Sequence, residues 1–253
     1  MKPNVLVIAG HDPSGGAGIH ADIEAIHSLG ALPATLITGL TVQNSQQVLG
    51  FELVSLDLLQ RQADALLDDM TFQAVKIGMT GSPAIIRFIA TVLDRLPGVP
   101  VVLDPVLAAE SGGSLGEQSV PAALLELLFP RATLATPNLP EAERLSALRG
   151  VQAAGEALLG HGCPAVLITG THDDTEAVHN HLFTAKGVAD WSWPRLPGSY
   201  HGSGCTLASA CAARLAHGVI LETALTEAQE YVHRTLRKAW QAGRGQLIPD
   251  RRG

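Results

Sequence analysis

The sequence predicts a single α/β domain in which one mostly parallel sheet is covered by helices on both faces. Three observations lead to this prediction. Short, continuous apolar runs, typical of strands buried on both faces, alternate along the chain with stretches of helical spacing. No internal repeat or linker interrupts this alternation over residues 1–253. Glycine or acidic residues follow nearly every predicted strand, so we expect them to meet at one edge of the sheet.

The composition limits the classes of function. Hydrophobic residues make up 46% of the chain and charged residues 16%, and the formal net charge of −7 disfavours nucleic acid as a partner. No apolar run is long enough to span a bilayer. The three cysteines lack metal-ligand spacing and no signal-peptide pattern is present, which predicts a cytoplasmic protein. The only lysines are Lys2, Lys76, Lys186 and Lys238. With so few lysines, a phosphate site is expected to use backbone amides, arginine or metal.

The first unit is predicted as a strand, a glycine loop and a helix. An apolar run over 4–10 predicts the strand, residues 11–18 the loop, and apolar spacing from Ile19 to Leu29 the helix. The loop lacks the lysine of a P-loop and does not match the dinucleotide-binding pattern. We therefore expect it to face a ligand of another kind. The alternative is a tight connection between strand and helix.

The later elements continue the alternation. Further strands are predicted at 34–40, 48–56, 74–79, 100–106, 133–136 and 165–169, with an antiparallel edge pair at 176–183 and 188–194. Helices are predicted at 57–69, 82–93, 121–129, from 137 onward, and at 151–161, 207–216 and 221–240, before a polar C-terminal tail at 243–253. Gln43 and Asn44 lie in a turn after the second strand. They either bind a polar edge of a ligand or cap the turn.

Two other strand ends carry candidate phosphate or metal ligands. Asp104 ends an apolar run, where ligands bind in open α/β sheets, although an aspartate before proline is also a common turn residue. Asn138 and Glu141 have the spacing of a helix capping box. The functional alternative places their amide and carboxylate beside Asp104.

Residues 201–206 precede a helix of small residues. Two glycines flank Ser203, so the backbone can approach a ligand closely. The first amides of a helix have no internal partner and carry partial positive charge. The segment therefore predicts an anion-binding site with Cys205 and Thr206 at its rim. The alternative is an ordinary glycine-containing loop.

Five segments together resemble the hydroxymethylpyrimidine/phosphomethylpyrimidine kinases of the ribokinase-like superfamily. They are residues 9–22, 76–79, 103–106, 136–141 and 201–207, in the family's order. The resemblance implies a three-layer α/β/α fold with short antiparallel edge strands, usually as a homodimer. It also implies ATP- and magnesium-dependent phosphorylation of 4-amino-5-hydroxymethyl-2-methylpyrimidine, and then of its monophosphate, in thiamine biosynthesis.

The resemblance further implies roles for individual residues. The pyrimidine would be held by Asp22 and Gln43 in a pocket lined by Gly10, Met79 and Val106. The anion hole would be formed by Gly202, Ser203, Gly204 and Cys205. The ATP-binding residues would be Asn138, Glu141, Thr169 and Thr171. The magnesium ligands would be Asp104 and Glu141.

Cys205 stands where ribokinase-like sugar kinases have an aspartate. A helix N-terminus lowers the pKa of a cysteine thiol, which would allow a thiolate to accept the proton of the hydroxymethyl group. The alternative is that Cys205 is a small packed residue and that the substrate loses its proton late and unaided.

The sequence departs from the family pattern in two places. Residues 169–172 read Thr-Gly-Thr-His where Lys-Gly-Gly-His is common, and residues 110–112 read Glu-Ser-Gly where many relatives have Lys-Ser-Gly. Two expected cations are therefore absent, which leaves the second phosphorylation open. Arg195 and His172 are candidate replacements.

Two competing functions remain at this point. A pyridoxal or pyridoxine kinase would bind a similar flat heteroaromatic ring, but the pairing of Asp22 with Gln43 suits an aminopyrimidine edge. A catalytically weak pyrimidine-sensing protein would keep the pocket without turnover. A nicotinamide-dependent dehydrogenase is disfavoured because the dinucleotide-binding pattern is absent.

Overall fold

The computed structural model describes residues 2–107, 117–171 and 175–252, and these form nine strands and eight helices. The strands are β1 (Asn4–His11), β2 (Leu32–Gln43), β3 (Val48–Leu53), β4 (Ala74–Ile77), β5 (Val101–Leu103), β6 (Leu134–Ala135), β7 (Ala165–Thr169), β8 (Ala177–Thr184) and β9 (Gly187–Pro194). The helices are α1 (Gly18–Ser28), α2 (Leu56–Asp69), α3 (Pro83–Asp94), α4 (Val120–Ala123), α5 (Leu139–Ser146), α6 (Val151–Leu159), α7 (Ser203–Ala216) and α8 (Leu221–Arg237).

All nine strands join one sheet in the order β3-β2-β1-β4-β5-β6-β7-β8-β9. The six strands from β2 to β7 in this order are parallel to their neighbours. β3 is antiparallel at one edge, and β8 and β9 form an antiparallel hairpin at the other. The mostly parallel sheet and the edge pair at 176–194 are confirmed.

The core lies on both faces of the sheet. In β1, Val5 and Val7 pack in the layer that contains α1, α7 and α8, whereas Leu6 and Ile8 pack in the layer that contains α2 to α6. This division follows from the pleat, which points successive side chains to opposite faces. The three-layer α/β/α architecture is therefore confirmed.

Helix α7 lies close to the centre of the sheet. Its buried face consists largely of small residues, including Ala208, Ala210 and Ala212, all fully buried. Small side chains let a helix backbone approach the strands, and α7 packs against β1, β4 and β5. Residues 201–205, just before and within its first turn, are thereby brought to the carboxyl ends of the parallel strands.

Several predicted boundaries are wrong. β3 ends at Leu53 instead of residue 56, and α7 begins at Ser203 instead of residue 207, so residues 203–206 of the predicted loop are helical. β2 continues to Gln43 because its last residues pair with β3, so the turn begins at Asn44. The last helix ends at Arg237 instead of reaching Trp240. Trp240 exchanges two backbone hydrogen bonds with Ile248, at 2.9 and 3.0 Å, which turns the chain back towards the core. In the part of the chain that the structure describes, no helix has the length and apolar character needed to cross a membrane.

Candidate active site

A cavity of about 460 Å³ opens at the carboxyl edge of the parallel strands. It is lined at successive strand ends by Gly10, Met79, Asp104, Thr136 and Thr169. The expectation that strand-end residues converge on one edge is confirmed. The cavity also includes Gln43, Val106, Asn138, Glu141, Thr171 and the whole stretch Gly202–Cys205.

Asp22 is the one residue of the predicted site that does not line the cavity. Its side chain is 0% exposed, beneath the cavity floor. Asp22 Oδ1 accepts a hydrogen bond of 2.7 Å from Ser209 Oγ and lies 2.8 Å from Lys76 Nζ. Asp22 Oδ2 accepts no hydrogen bond from the described residues, and direct contact between Asp22 and the pyrimidine stays a prediction.

Lys76 is a site residue that sequence reasoning missed. Its Nζ lies 2.8 Å from Asp22 Oδ1 and 3.8 Å from Asp104 Oδ2, and its side chain lines the cavity. Burial lowers the pKa of Lys76, but the negative charges of Asp22 and Asp104 more than offset this and keep the ammonium protonated. The signal was available in the sequence, because a lysine inside an apolar strand needs a buried partner.

The expectation of a cavity without a lysine is thus wrong. The sheet places Lys76 on β4, next to β1 and β5, so its ammonium reaches the cavity between two carboxylates. A Cβ at Gly78 would lie 2.8 Å from Lys76 Nζ, so only glycine leaves room for this side chain.

Asp104 presents a buried carboxylate to the same space. Burial raises the pKa of Asp104 to about 6, with a further increase from Asp22, although Lys76 and a hydrogen bond from Cys205 act in the opposite direction. Asp104 Oδ2 accepts no hydrogen bond from the described residues. An oxygen in this position is suited to a cation or to a donor group of a ligand.

Cys205 has the opposite pKa shift from the one predicted. Burial raises the pKa of its thiol and the carboxylates of Asp104 and Asp22 raise it further, whereas Lys76 lowers it. Burial is the largest of these effects and sets the direction of the pKa shift. The expectation of a lowered thiol pKa is contradicted, and Cys205 is a thiol at neutral pH.

Asn138 and Glu141 form the capping box that their spacing predicts. Glu141 N donates to Asn138 Oδ1 over 2.9 Å, and Asn138 N donates to Glu141 Oε2 over 3.0 Å. Glu141 Oε1 also accepts a 3.4 Å hydrogen bond from Leu107 N. Both side chains line the cavity as well, so the cap holds them in a fixed orientation at its wall.

The described residues contain no cluster of three or more His, Cys, Asp or Glu side chains that could enclose a metal ion. Magnesium is normally held by one or two carboxylates together with phosphate oxygens and water. The buried oxygen Asp104 Oδ2, which accepts no hydrogen bond from the described residues, and Glu141 on the same cavity wall fit a magnesium ion that arrives with a nucleotide.

Residues 201–205, here called the transfer loop, pack directly on the glycine loop at 11–18. Gly202 has φ +78°, and a Cβ at this position would overlap the carbonyl oxygen of Gly16. α7 begins at Ser203 without a side-chain cap. Its first amides therefore remain at the cavity edge, as an anion-binding site requires.

A buried pair joins these two loops. His201 Nε2 is hydrogen-bonded to Asp12 Oδ2 at 2.8 Å, and Asp12 also accepts hydrogen bonds from the backbone amides of Ser14 and Ala17. Burial raises the pKa of Asp12, but the hydrogen bonds from His201 and Ser14 lower it below its ordinary value. Sequence reasoning missed this pair because its members lie at opposite ends of the chain.

In the turn after β2, the side-chain amides of Gln43 and Asn44 have different roles. Gln43 lines the cavity. Asn44 Oδ1 accepts hydrogen bonds from the backbone amides of Gln46 and Gln47, at 2.9 and 3.1 Å. The turn-capping interpretation is thus correct for Asn44.

Arg195 reaches the cavity from the segment after β9. Its guanidinium donates to the carbonyl oxygens of Thr171 and Thr175, at 2.8 and 2.7 Å, and so connects these two residues. The other replacement candidate, His172, and the segment Glu110–Gly112 lie outside the described residues.

The far end of the cavity is apolar and aromatic. Trp193 and His233 have ring centroids 5.4 Å apart, and the wall beside them is completed by Val178, Val232 and Leu236. Trp193 Nε1 donates to Gln229 Oε1 over 3.1 Å, which fixes the indole. Sequence reasoning did not find this end, because its residues come from the β8–β9 hairpin and α8 and share no motif.

Residues 12–250 match the family described as phosphomethylpyrimidine kinase. A hydroxymethylpyrimidine/phosphomethylpyrimidine kinase of Escherichia coli K12 is 40% identical over 217 residues, covering 83% of this chain and 82% of the relative. A phosphomethylpyrimidine kinase structure from Clostridium difficile 630 has a TM-score of 0.81 at 32% identity, covering 93% of this chain and 100% of the other. The pyridoxal kinase of Staphylococcus aureus, in complex with AMP-PCP and pyridoxal, has a TM-score of 0.92 at 26% identity, covering 100% and 94%.

Proposed function

The chain belongs to the phosphomethylpyrimidine kinase family, and on this premise we propose that it is an ATP-dependent pyrimidine kinase of thiamine biosynthesis. It transfers the γ-phosphoryl group of ATP to the hydroxymethyl oxygen of 4-amino-5-hydroxymethyl-2-methylpyrimidine, releasing ADP and the hydroxyl proton. The observation that carries this proposal is that Lys76, Asp104 and the transfer loop line one cavity together with Gly10, Met79 and Val106.

The acceptor pyrimidine occupies the pocket between Gly10, Met79 and Val106. A Cβ at Gly10 would lie 2.6 Å from Met79 Sδ, so a side chain there would displace the Met79 side chain that lines this pocket. Gln43 has both a donor and an acceptor for the amino group and ring nitrogen of the pyrimidine. Asp22 contributes indirectly, by holding Lys76 in place from below.

Catalysis depends on charge neutralisation and positioning. Negative charge spreads over the transferred phosphoryl oxygens in the transition state, so amides and cations fixed around them lower the barrier. The amides of Ser203, Gly204 and Cys205 and the ammonium of Lys76 serve this role. Cys205 stays a thiol that packs beside the reacting oxygen, and the hydroxyl proton leaves late.

The nucleotide lies across the remaining length of the cavity. Its phosphates lie near Asn138, Glu141, Thr169 and Thr171, and its base lies at the apolar end beside Trp193 and His233. Asp104 and Glu141 would hold magnesium, which would supply positive charge to neutralise the phosphates.

The monophosphate of the pyrimidine is a second acceptor. Lys76 supplies a buried cation inside the cavity, which offsets the absence of lysine at positions 169 and 110. The family match and the E. coli relative, whose name includes both activities, support this extension. Arg195 supports it only through its hydrogen bonds to Thr171 and Thr175.

An acceptor panel tests the proposal. ADP formation is measured with the pyrimidine alcohol, its monophosphate and pyridoxal, at equal concentrations with ATP and magnesium. We expect both pyrimidines to be phosphorylated with higher kcat/KM than pyridoxal. A preference for pyridoxal would favour the second candidate, which the similarity to the S. aureus pyridoxal kinase keeps open. Tight pyrimidine binding without turnover would indicate a sensing protein.

Lys76→Met tests the cation in the same panel. The loss of a fixed charge at a phosphoryl-transfer site is expected to lower kcat by ~100-fold or more, with a larger loss for the monophosphate than for the alcohol. Lys186→Met, in the exposed β8–β9 turn, is the matched control. Equal activity of both variants would contradict the role of Lys76.

Two further features extend the proposal. The chain forms a homodimer through the face of β2 and β3, where Leu40, Val42, Leu49 and Leu53 are exposed. It works in the cytoplasm, in agreement with its three free cysteines, Cys163, Cys205 and Cys211.

A further inference from the structure

Arg251 has the largest fully buried side chain among the described residues, and the catalytic proposal above does not use it. We propose that Arg251 is a positioning residue for phosphoryl transfer, which fixes the transfer loop against the glycine loop from behind the cavity. This inference rests on the proposed function, because it assigns a role in the same reaction.

The guanidinium of Arg251 connects both loops and α1. Its Nη2 donates to the carbonyl oxygens of Gly16 in the glycine loop and, at 3.5 Å, of His201 in the transfer loop. Its Nε donates to Thr206 Oγ1 over 2.8 Å. Its Nη1 pairs with Glu24 Oε2 of α1 at 3.2 Å.

These contacts act on the first turn of α7. Thr206 Oγ1 donates to the carbonyl oxygen of Gly202 over 2.7 Å, so the chain of hydrogen bonds runs from Arg251 through Thr206 to Gly202. A Cβ at Gly202 would lie 2.9 Å from Arg251 Nη2, so the guanidinium contacts the point where the two loops touch. The orientation of the backbone amides of Ser203, Gly204 and Cys205 depends on how Gly202 is held.

The segment that carries Arg251 is itself built into the site. Residues 240–252 are here called the C-terminal strap. The strap folds back on itself through the Trp240–Ile248 pair and lies against residues 199–201, just before the helix α7. His201 N donates to Leu247 O over 2.8 Å, and Leu247 N donates to Ser199 O over 2.9 Å. Gln246 N donates to Ser45 O over 2.9 Å, beside the turn after Gln43. The strap thus joins the acceptor side of the cavity to the transfer loop.

The carbonyl oxygen of Arg251 is also fixed. It accepts a 2.6 Å hydrogen bond from Tyr231 Oη of α8, and Asp250 N donates to Thr235 O of the same helix over 3.1 Å. The Arg251 side chain is therefore fixed at both ends, by the hydrogen bonds of its backbone and by the four acceptors of its guanidinium.

Arg251 does not line the cavity, so it acts on the reaction only through these contacts. Anion-hole donors must lie within hydrogen-bonding distance of the transferring group, and a displacement of ~1 Å costs ~100-fold in rate. Ground-state binding of ATP and pyrimidine uses other walls of the cavity. Loss of Arg251 should therefore lower kcat and change KM little.

Arg251→Gln is the direct test, with Arg252→Gln as its matched control because Arg252 is exposed and contacts Asp250 and Trp240. Both variants are assayed with the pyrimidine alcohol at a temperature where circular dichroism shows full folding. We expect Arg251→Gln to lower kcat by ~10-fold to ~100-fold with both KM values within ~3-fold of wild type. Arg252→Gln should match wild type.

Binding of a transition-state mimic separates positioning from general stability. Calorimetry with ADP and aluminium fluoride in the presence of pyrimidine alcohol should show an affinity loss of ~10-fold or more in Arg251→Gln, while ADP alone binds as in wild type. A folded Arg251→Gln with wild-type kcat, or with equal losses for ADP and the mimic, would overturn the inference.

A second pair of variants applies if Arg251→Gln does not fold. Thr206→Val keeps the arginine and removes the hydroxyl that links Arg251 Nε to the Gly202 carbonyl oxygen, whereas Thr206→Ser retains this hydroxyl. We expect Thr206→Val to lose kcat and Thr206→Ser to keep it; equal kcat values in the two variants would overturn the inference. Turnover of the pyrimidine alcohol by the wild-type protein tests the proposed function separately. An inactive wild type would contradict the proposed kinase function. With an active wild type, the comparison of the variants decides the role of Arg251.

Discussion

At the residue scale, the centre of the site is a buried cluster of unlike charges. Lys76 lies between Asp22 and Asp104, and Cys205 lies beside them. Burying ionised groups opposes folding unless they are paired, so such a cluster is kept for function more than for stability. Its ammonium and the buried Asp104 Oδ2, which has no hydrogen-bond partner among the described residues, are the groups that a phosphate and its metal ion would contact.

The first prediction concerns the stability of Asp104→Asn. Burial raises the pKa of Asp104 to about 6, above its ordinary value of 3.8. The folded protein therefore binds this proton more tightly than the unfolded chain, and the carboxyl group's contribution to stability is complete below pH 3.8 and disappears as the pH rises through 6. Asp104→Asn has no such loss.

Urea unfolding of the ligand-free protein in EDTA measures this effect. We expect the free energy of unfolding of Asp104→Asn, relative to wild type, to increase by on the order of 2 kcal/mol between about pH 4.5 and about pH 8. Kinase activity should fall in the same variant. A difference in unfolding free energy that does not change with pH would contradict the raised pKa.

The second prediction concerns Cys205→Ala. Because burial and the neighbouring carboxylates keep the thiol protonated, its removal should lower kcat by less than ~10-fold, whereas loss of a general base costs ~100-fold to ~10,000-fold. Cys211→Ala, buried on the same helix, controls for the cost of a cavity in the core. A loss of ~1,000-fold in Cys205→Ala alone would establish Cys205 as the base.

At the scale of elements, the site depends on where α7 begins. The helix starts beneath the glycine loop, and Gly202 gives it a left-handed residue at the point of closest approach. The buried Asp12–His201 pair and the strap hold the same junction. The first amides of α7 are thereby fixed before any ligand binds, which is the condition for electrostatic stabilisation of a transition state.

The third prediction is that Gly202→Ala abolishes activity for steric reasons. Gly202 and Gly218 have nearly the same φ, +78° and +79°, but a Cβ at Gly218 meets nothing within 4 Å. Gly218→Ala should therefore cost only the ~1–2 kcal/mol of a left-handed alanine, with normal kcat. Gly202→Ala should lose kcat by ~100-fold or more, because the Gly16 carbonyl must move. Comparable kcat values in the two variants would contradict the steric argument.

At the scale of the whole molecule, the two edges of the sheet differ. The β2–β3 edge exposes Val42 and Leu49, at 58% and 66% of their surface, next to the turn that the strap contacts. Exposed apolar groups of this kind on neighbouring strands mark interaction surfaces. The opposite edge, formed by β9, has Val188 as its exposed large aliphatic residue among the described residues.

The fourth prediction follows from this asymmetry. The double variant Val42→Glu, Leu49→Glu should convert a dimer to a monomer in light scattering coupled to size-exclusion chromatography, because like charges are placed in an apolar interface. Val188→Glu should leave the dimer intact. A wild-type monomer, or a variant that remains dimeric, would contradict the proposed interface.

Much of the fold followed from local patterns. The apolar strands and the convergence of residues at their carboxyl ends are confirmed, because a buried parallel strand requires a continuous apolar run. The capping box of Asn138 and Glu141 is also local, since its partners are three residues apart. The Gly202–Cys205 segment was found for the same reason: glycines next to a helix start are visible in the sequence.

Other parts of the site depended on tertiary contacts. The Asp12–His201 pair joins residues 189 positions apart, and Arg251 reaches Gly16 across 235 positions. No local pattern records such a pair, because either member alone resembles an ordinary polar residue. For the same reason the pairing of Asp22 with Lys76 could not be predicted from the sequence. The packing of β4 against β1 places Lys76 Nζ 2.8 Å from Asp22 Oδ1.

The sequence by itself thus determined the class of fold, the edge at which the site lies and the loop at which transfer is proposed. Only the tertiary structure decided the electrostatics of that site: which lysine reaches the cavity, which carboxylates surround it, and in which direction burial shifts the pKa of the thiol. The physical reason is that backbone pattern is fixed by local geometry, whereas the pKa of a buried group is fixed by its distance from charges brought there by folding.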